Sequence, residues 1–250
     1  MGVLAFKAHK PYKVPASLHI SVEAGHWYVS FNHDDGVQEP SEQETADWLM
    51  QFTAHELRSM TVGLDRGVAL PLAASDGQRF GLSKTQKKRL SAQERHKKRW
   101  QRRQARRTQG SKNWLKAKRK VARYQRYGAN LRRDVAHKTS HTLASDDRYK
   151  LFVFEALSVK NMTKRAKARQ DDQGRWQRNG GRAKSGLNKA ILSSAWGQTK
   201  LFLQYKARRV GKLAIEVPAF YSSQECGQCG HIHKDNRKSQ SEFVCQSCGH

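Results

Sequence analysis

The sequence predicts an α/β fold in which a mixed sheet is interrupted by a basic helical hairpin and followed by a small cysteine-rich module. Three observations carry this prediction. Short apolar runs with the spacing of strands occur before residue 83 and again after residue 150. Between them, 22 of the 55 residues from 84 to 138 are Lys or Arg, and apolar residues recur at helical spacing. All four cysteines lie within the last 25 residues.

The composition restricts the kind of partner. The 250 residues contain 48 Lys and Arg against 21 Asp and Glu, a formal net charge of +27. Such a surface repels itself unless a polyanion neutralises it, which favours DNA or RNA over membrane lipid and acidic proteins. No apolar run approaches the ~20 residues of a membrane span, and Lys7 interrupts the amino-terminal run too early for a secretory signal. We therefore expect a cytoplasmic, nucleoid-associated protein with no membrane partner.

The amino-terminal part shows a hairpin signal and then a helix signal. Apolar residues alternate in 18–22 and 27–31, on either side of a glycine-containing turn, which predicts a β-hairpin. A capping box formed by Ser41 and Glu44 then predicts the start of a helix. The apolar stripe of that helix consists of Ala46, Leu49, Met50 and Leu57.

Apolar runs on both sides of the basic segment predict one sheet. Residues 60–65, 68–74 and 79–80 indicate an antiparallel meander. Residues 151–157 and 213–217 indicate two strands joined by a long crossover, which makes them parallel, so the sheet is mixed. The crossover helix is marked by Leu187, Ile191, Ala195, Leu201, Phe202 and Tyr205 and is ended by Gly211.

The basic segment predicts a helical hairpin that binds phosphates. A capping box at Ser91 and Glu94 begins one helix, and a break at Gly110 separates it from the next. The second helix has a narrow apolar seam formed by Trp114, Ala117, Val121, Tyr124, Gly128, Leu131 and Val135. Acids are too few for salt bridges to neutralise the helices, which favours phosphate binding; a solvated charge run or an isolated coiled coil is the alternative. The candidate nucleic-acid-binding residues are Arg99, Arg102, Arg103, Arg106, Arg107, Lys116, Arg119, Lys120, Arg123 and Arg126, with Trp100 or Tyr127 as a stacking residue.

Two carboxylates lie in or at the end of apolar strands. Asp65 ends one strand shortly before Gly67, and Glu155 lies within another. Burying a carboxylate alone is costly, so each is expected to meet a cation, a donor or a metal ion. On neighbouring strands the two acids would hold Mg²⁺, which prefers oxygen ligands, for phosphodiester hydrolysis. The alternative is that each is an ordinary strand-end acid paired with an arginine.

The four cysteines have the spacing of a zinc ribbon. Two pairs, Cys226 with Cys229 and Cys245 with Cys248, are separated by 15 residues. Each two-residue gap lets a tight turn point both sulfurs at one ion, and four thiolates complete a tetrahedral, structural zinc site. Two disulfides are the alternative, although a reducing cytoplasm disfavours them. The histidines between the pairs are not expected to be ligands.

Several segments resemble motifs of the insertion-sequence OrfB transposases, the TnpB family, which is related to the compact type V CRISPR nucleases. The resemblance covers nearly the whole chain from about Leu18. The matching segments, in order, are 63–67 with 74–77, 154–157 with 161–162, 187–189, 195–197, 205–206 and 218–229. Each segment alone is a weak signal, but their order and spacing are specific.

The resemblance implies an RNase H-like (RuvC) nuclease domain with a helical insertion and an inserted ribbon. It places the family's first catalytic aspartate on Asp65 and its catalytic glutamate on Glu155, with Mg²⁺ as the catalytic cofactor, zinc as the structural one, and DNA and a guide RNA as partners. The implied domains are a wedge-domain remnant (1–58), the RuvC-like domain (59–83 and 150–220), the basic insertion (84–149) and the zinc ribbon that binds target nucleic acid (221–250).

The family's third catalytic aspartate has no counterpart in this sequence. In the family it follows the last ribbon cysteine, whereas this sequence ends two residues after Cys248. Glu216 matches an acid that is not catalytic in the family, and Asp76 belongs to a turn. We therefore expect a chain shortened at both ends, with impaired catalysis.

Two functions follow as hypotheses. The first is a transposon-encoded, RNA-guided DNA endonuclease with little cleavage by these residues alone. The second is a non-catalytic DNA- or RNA-binding protein derived from it. A ribosome-associated zinc-ribbon protein is a weaker third possibility, since the sheet and the two acids are not required for it.

Overall fold

A five-stranded sheet lies at the centre of the computed structural model, which describes residues 5–8, 11, 13, 17–32, 34–218, 220–221, 223–239 and 242–250. Residues 1–4, the start of the segment for which the sequence argues against a secretory signal, lie outside this range. The strands are β1 (His19–Glu23), β2 (His26–Ser30), β3 (Thr61–Asp65), β4 (Leu72–Ala74), β5 (Arg79–Phe80), β6 (Leu151–Glu155), β7 (Arg169–Gln170), β8 (Trp176–Gln177) and β9 (Leu213–Val217). The helices are α1 (Glu42–Leu49), α2 (Ala54–Ser59), α3 (Lys84–Ala105), α4 (Lys112–Ala144), α5 (Val159–Met162), α6 (Gly181–Ser193) and α7 (Trp196–Arg209).

The sheet is mixed, which confirms the sequence prediction. Its strand order is β5-β4-β3-β6-β9. Strands β3, β6 and β9 run parallel, and β4 pairs antiparallel with both β3 and β5. The meander and the crossover therefore join in one sheet, with β3 and β6 as neighbouring central strands.

The hydrophobic core lies on one face of this sheet. Val62, Leu64, Phe152 and Phe154 alternate with less buried residues and pack with residues of α4 and α7. Full burial of such side chains contributes about 1.5–3 kcal/mol each. Side chains alternate along a strand, so the residues between them project from the opposite face.

The basic segment forms the predicted helical hairpin, α3 and α4, and the buried Ala117, Val121 and Gly128 confirm its seam. A Cβ at Gly128 would come within 3.3 Å of Leu90, so glycine allows the two helices to approach closely. The predicted start at Ser91 is wrong. Helix α3 begins one residue after Ser83, whose side chain and that of Gln86 complete an earlier capping box.

Two helices that the sequence predicted as continuous are broken. After α1, Thr53 forms a second capping box and starts α2, which leaves Met50 81% exposed and outside any apolar stripe. The crossover helix divides into α6 and α7 because Ala195 has a left-handed backbone with φ 59°. Apolar periodicity continues across both breaks, so it does not reveal them.

The amino-terminal strands β1 and β2 form the predicted hairpin. The hairpin approaches α4 through Tyr28, whose ring centroid lies 5.1 Å from the guanidinium carbon of Arg126. Among the described residues, no helix combines the length and apolar character that crossing a bilayer requires.

Candidate active site and metal centre

The register of the central strands brings Asp65 and Glu155 together. Leu64 of β3 is paired with Phe154 of β6, and the two acids are the next residues of their strands. Both project from the face opposite Leu64 and Phe154, at the carboxyl ends of adjacent strands about 4.8 Å apart. Asp65 is exposed and makes no ion pair with the described residues, whereas Glu155 is half-buried. Two oxygen donors at one edge of a sheet are able to share a divalent cation.

The turn after Asp65 is held by a residue of α7. A Cβ at Gly67 would lie 2.7 Å from the main-chain oxygen of Leu70, so this turn requires glycine. The Gly67 carbonyl accepts a hydrogen bond of 3.1 Å from Nε1 of the buried Trp196. Trp196 therefore connects the start of α7 to the loop that follows Asp65.

A network of ion pairs and hydrogen bonds on the core face of the sheet was not predicted from the sequence. The side chain of Arg66 is 4% exposed, and its Nη2 donates to the main-chain oxygen of Glu155 and lies 3.2 Å from Oε1 of Glu216. Lys200 Nζ lies 2.7 Å from the other oxygen of Glu216. Glu216 is in register with Phe154, so it lies on the face opposite Asp65 and Glu155. The sequence contained one signal for this network: Arg66 follows Leu64 by two residues, so strand alternation places both side chains on the core face.

The four cysteine sulfurs converge on one point. They all lie within 4.8 Å of one another, and Cys226–Cys248 and Cys229–Cys245 are each 3.6 Å apart. A tetrahedral zinc ion with bonds of about 2.3 Å sets its sulfurs about 3.8 Å apart. None of the four forms a disulfide in this structure, since these sulfur separations are well beyond the S–S bond length of about 2.05 Å. The cluster is suited to hold one metal ion such as zinc.

The surroundings of the sulfurs shift the pKa values of the thiols in opposite directions. Main-chain N–H groups of Cys248 and Ser247 point at the Cys245 sulfur and lower the pKa of that thiol to about 6. The main-chain N–H of His250 lowers the pKa of Cys248, but Cys229, Cys245 and desolvation together raise it to about 12. Cys248 thus resists ionisation beside the other sulfurs, and a bound cation would favour its thiolate form.

Asn236 connects the two cysteine turns and was not singled out by the sequence. Its side chain is fully buried, and its amide donates to the carbonyls of Gln224 (2.7 Å) and His231 (3.0 Å), beside the first turn. Its side-chain oxygen accepts from the N–H of Gln246 (2.8 Å), within the second turn. Residues 219, 222, 240 and 241 of the predicted ribbon and its approach lie outside the described residues.

The predicted phosphate-binding cations lie on the helical hairpin, and most of them are exposed. Two of them already have structural contacts: Arg107 donates to the Asn113 carbonyl (2.6 Å), and Arg126 stacks on Tyr28. Arg103 covers the ring of Trp100 at 4.9 Å, so that indole is partly occupied within the hairpin. The remaining exposed cations are Arg99, Arg102, Arg106, Lys116, Arg119 and Arg123, and Lys120 is half-buried.

Comparison with curated proteins finds two relatives along most of the chain. InsQ of Escherichia coli (strain K12), named for an RNA-guided DNA endonuclease, is 38% identical over 231 residues, which are 91% of this chain and 50% of InsQ. A Streptomyces pristinaespiralis protein with the same kind of name is 27% identical over 230 residues, 90% of this chain and 46% of that protein. The chain thus spans about half the length of these relatives.

A solved structure and two family models also match parts of the chain. A cryo-EM structure of a Cas12f1–sgRNA–target DNA complex aligns with a TM-score of 0.48 at 17% identity, covering 76% of this chain and 36% of that chain. A model described as a Cas12f1-like TNB domain matches residues 196–250. The model of the OrfB_IS605 family, described as a probable transposase, matches residues 37–166, more than half of the chain. Together with the ordered motifs, this match shows that the chain belongs to the OrfB_IS605 transposase family, the OrfB or TnpB proteins that the sequence indicated.

Proposed function

We propose that the chain carries the RuvC-like nuclease domain of a transposon-encoded, RNA-guided DNA endonuclease. The observation that carries this proposal is the pairing of β3 with β6, which sets Asp65 and Glu155 side by side on one face. The strand order β5-β4-β3-β6-β9, with three parallel strands and an antiparallel meander, supports an RNase H-like sheet. The names of the two curated relatives support DNA as substrate and RNA as guide.

Asp65 and Glu155 would hold Mg²⁺ through their carboxylate oxygens. When bound, such an ion polarises the attacking water or stabilises the leaving oxygen of a phosphodiester. Arg66 holds the carboxyl end of β6 through the Glu155 carbonyl, and Trp196 holds the turn after Asp65. The exposed cations of α3 and α4 would hold the phosphates of the nucleic acid.

The cysteine cluster would bind zinc as a structural ion. Four sulfurs with near-tetrahedral spacing fill all the positions that zinc offers, which leaves none for a substrate. The domain division is proposed with it: a wedge-domain segment (1–58), the nuclease domain (59–83 and 150–220), the basic insertion (84–149), and a ribbon that binds target nucleic acid (221–250).

Catalysis by residues 1–250 alone is proposed to be weak. Nucleases of this kind use several carboxylates to place two ions, and Glu216, an acid near the carboxyl end of β9, is engaged by Arg66 and Lys200 on the other face. This observation also favours the second candidate function, a non-catalytic DNA- or RNA-binding protein derived from such a nuclease.

Divalent-ion binding tests the site separately from cleavage. We expect Mn²⁺, followed by electron paramagnetic resonance, to bind at least tenfold more weakly to Asp65→Asn and Glu155→Gln. Asp76→Asn, which removes a carboxylate from the turn after β4, is the control and should bind Mn²⁺ like the unmodified chain. Unchanged binding in both site variants would refute the proposed metal site.

Cleavage is then measured on single-stranded and guide-matched DNA with Mg²⁺. Cutting that is slow and is lost in Asp65→Asn supports a weak nuclease. Mn²⁺ binding without any cutting supports the non-catalytic candidate. Rapid cutting that depends on Asp65 would contradict the proposal of weak catalysis but would still support the proposed metal site. Both candidates require nucleic-acid affinity that falls steeply with salt, because phosphate contacts release counterions.

A further inference from the structure

The short hairpin of β7 and β8 presents an exposed indole. Trp176 is 72% exposed and is paired with Gln170 across the two strands. The Asp171 carboxylate organises the turn: it accepts from the main-chain N–H groups of Gln173 (3.0 Å) and Arg175 (2.8 Å). The turn is therefore ordered by its own hydrogen bonds, while its largest apolar side chain packs into no core.

The base of the hairpin is fixed to its neighbours. The Asn179 side chain donates to the Lys167 carbonyl (2.8 Å) and closes the loop. From α6, Lys184 Nζ donates to the Met162 carbonyl (2.7 Å), and the Asn188 side chain donates to the Thr163 carbonyl (2.8 Å). Trp176 thus stands on an anchored support, which reduces the entropy that ordering a ligand against it would cost.

The hairpin lies in a strongly basic segment. Residues 160–184 contain nine Lys and Arg against two acids, and one of these acids, Asp171, is committed to the turn. None of the nine makes an ion pair with another described residue. They are Lys160, Lys164, Arg165, Lys167, Arg169, Arg175, Arg178, Arg182 and Lys184. A basic segment that carries one exposed aromatic ring suits a ligand with both phosphates and flat apolar rings.

The elements that carry the hairpin also lead to the two acids. Strand β6 ends at Glu155, and the chain reaches the base of the hairpin through α5. On the other side, α6 leads to Trp196, which donates to the carbonyl of Gly67, two residues after Asp65. The base of the hairpin is therefore connected through α5 and α6 to the segments that carry the two acids.

We propose that the β7–β8 hairpin binds single-stranded DNA, with Trp176 stacking on a base and the cations of residues 160–184 contacting phosphates. The proposal rests on the proposed nuclease function, from which the DNA partner is taken. Residues 160–184 contain one aromatic ring and nine cations, which favours a nucleic acid over a protein partner, because protein interfaces bury a wider apolar core.

The test is the affinity of the chain for a fluorescein-labelled oligothymidylate without added divalent ions, measured by anisotropy. Trp176→Ala should weaken binding by about tenfold, as expected for loss of one stacked base. Trp176→Phe should retain most of the affinity. Trp27→Ala is the matched control, because Trp27 is 73% exposed on a hairpin whose residues 18–31 include no Lys or Arg. Both tryptophans are exposed, so neither substitution should affect folding.

Stacking is separated from charge by two further measurements. The unmodified chain should bind an oligonucleotide with abasic sites more weakly than it binds the intact oligonucleotide. On the abasic oligonucleotide, Trp176→Ala and the unmodified chain should have equal affinity. Arg169→Gln and Arg175→Gln should each make the salt dependence of binding shallower, while Trp176→Ala leaves its slope unchanged.

Three outcomes would overturn the inference: unchanged DNA affinity in Trp176→Ala, an equal loss on abasic DNA, or a loss confined to RNA of the same sequence or to anionic vesicles. Because binding is measured without Mg²⁺, it does not depend on cleavage. If Mn²⁺ binding does not depend on Asp65 and Glu155 but DNA affinity does depend on Trp176, the proposed nuclease function is refuted and this inference is not. An intact metal site with no effect of Trp176 would refute this inference alone.

Discussion

Arg66 and Glu216 form an ion pair of 3.2 Å that joins the carboxyl ends of β3 and β9 across the intervening strand β6. On its way the guanidinium passes the Phe154 ring at 5.5 Å and donates to the carbonyl of Glu155. One buried cation therefore holds three parallel strands in place beneath the two proposed catalytic acids.

Removal of this cation should destabilise the sheet. We expect Arg66→Met to lower the free energy of unfolding by about 1–3 kcal/mol, because it leaves a carbonyl and a carboxylate without their charged donor. Urea denaturation at pH 7 measures this. Lys200→Met, which removes the more exposed partner of Glu216, should cost less than about 1 kcal/mol. Equal effects of the two substitutions would contradict a special role for Arg66.

Asn236 should control metal affinity without being a ligand. Asn236→Ala removes the three hydrogen bonds that tie the two cysteine turns together. We expect zinc affinity to fall by about 10–100-fold, as for other residues that orient metal ligands. Competition with a chromogenic chelator measures this affinity. Lys234→Ala, an exposed change in the same short 3₁₀ helix, should leave the affinity unchanged.

Metal removal should unfold the ribbon and spare the sheet. Among the described residues, the core cluster contains residues of the sheet, α4 and α7 but none beyond residue 214, so a bound ion would be the main source of stability for the ribbon. Hydrogen exchange with and without a strong zinc chelator should show lost protection in 223–250 and unchanged protection in β3 and β6. Global loss of protection would mean that the ribbon supports the sheet.

Asp76 should contribute to stability in a pH-dependent way. The side-chain amide of Gln78 (2.6 Å), the main-chain N–H of Gln78 and the Tyr149 hydroxyl hold the pKa of this carboxyl below its ordinary value of 3.8. A lowered pKa in the folded state stabilises the protein above pH 3.8, and this contribution is lost as the pH falls through the lower value.

Asp76→Asn should therefore reduce stability at pH 7 by about 1 kcal/mol and flatten the loss of stability between about pH 4 and pH 2. Urea midpoints across this range measure the effect. Parallel pH profiles for the variant and the unmodified chain would show that Asp76 does not titrate with folding.

Much of the architecture could be predicted from local patterns. Short apolar runs marked β3, β6 and β9, three-and-four spacing marked the seam of α4, and the two cysteine pairs indicated a shared metal ion. These signals arise from neighbours along the chain, so a single sequence contains them. The same locality explains the errors: Ser91 has the residues of a helix start, but the chain is already helical from Lys84.

The candidate site was predictable in part. Asp65 and Glu155 were chosen because carboxylates are rare in apolar strands, and their catalytic role stays a prediction. Nothing local distinguishes Glu216 from them as a strand-end acid. The family resemblance set it aside, and the physical reason lies in the register of β9 with β6 and in Arg66, which comes from 150 residues earlier.

By itself, the sequence determined the charge of the surface, the cysteine spacing, the type of most elements and the family. The tertiary structure alone decided which acids share a face, that Arg66 crosses three strands, that Asn236 joins the two cysteine turns, and that Trp176 stands exposed on an anchored hairpin. The physical reason is that propensity and periodicity act over a few residues, whereas strand register and burial are set by packing between segments far apart in the chain.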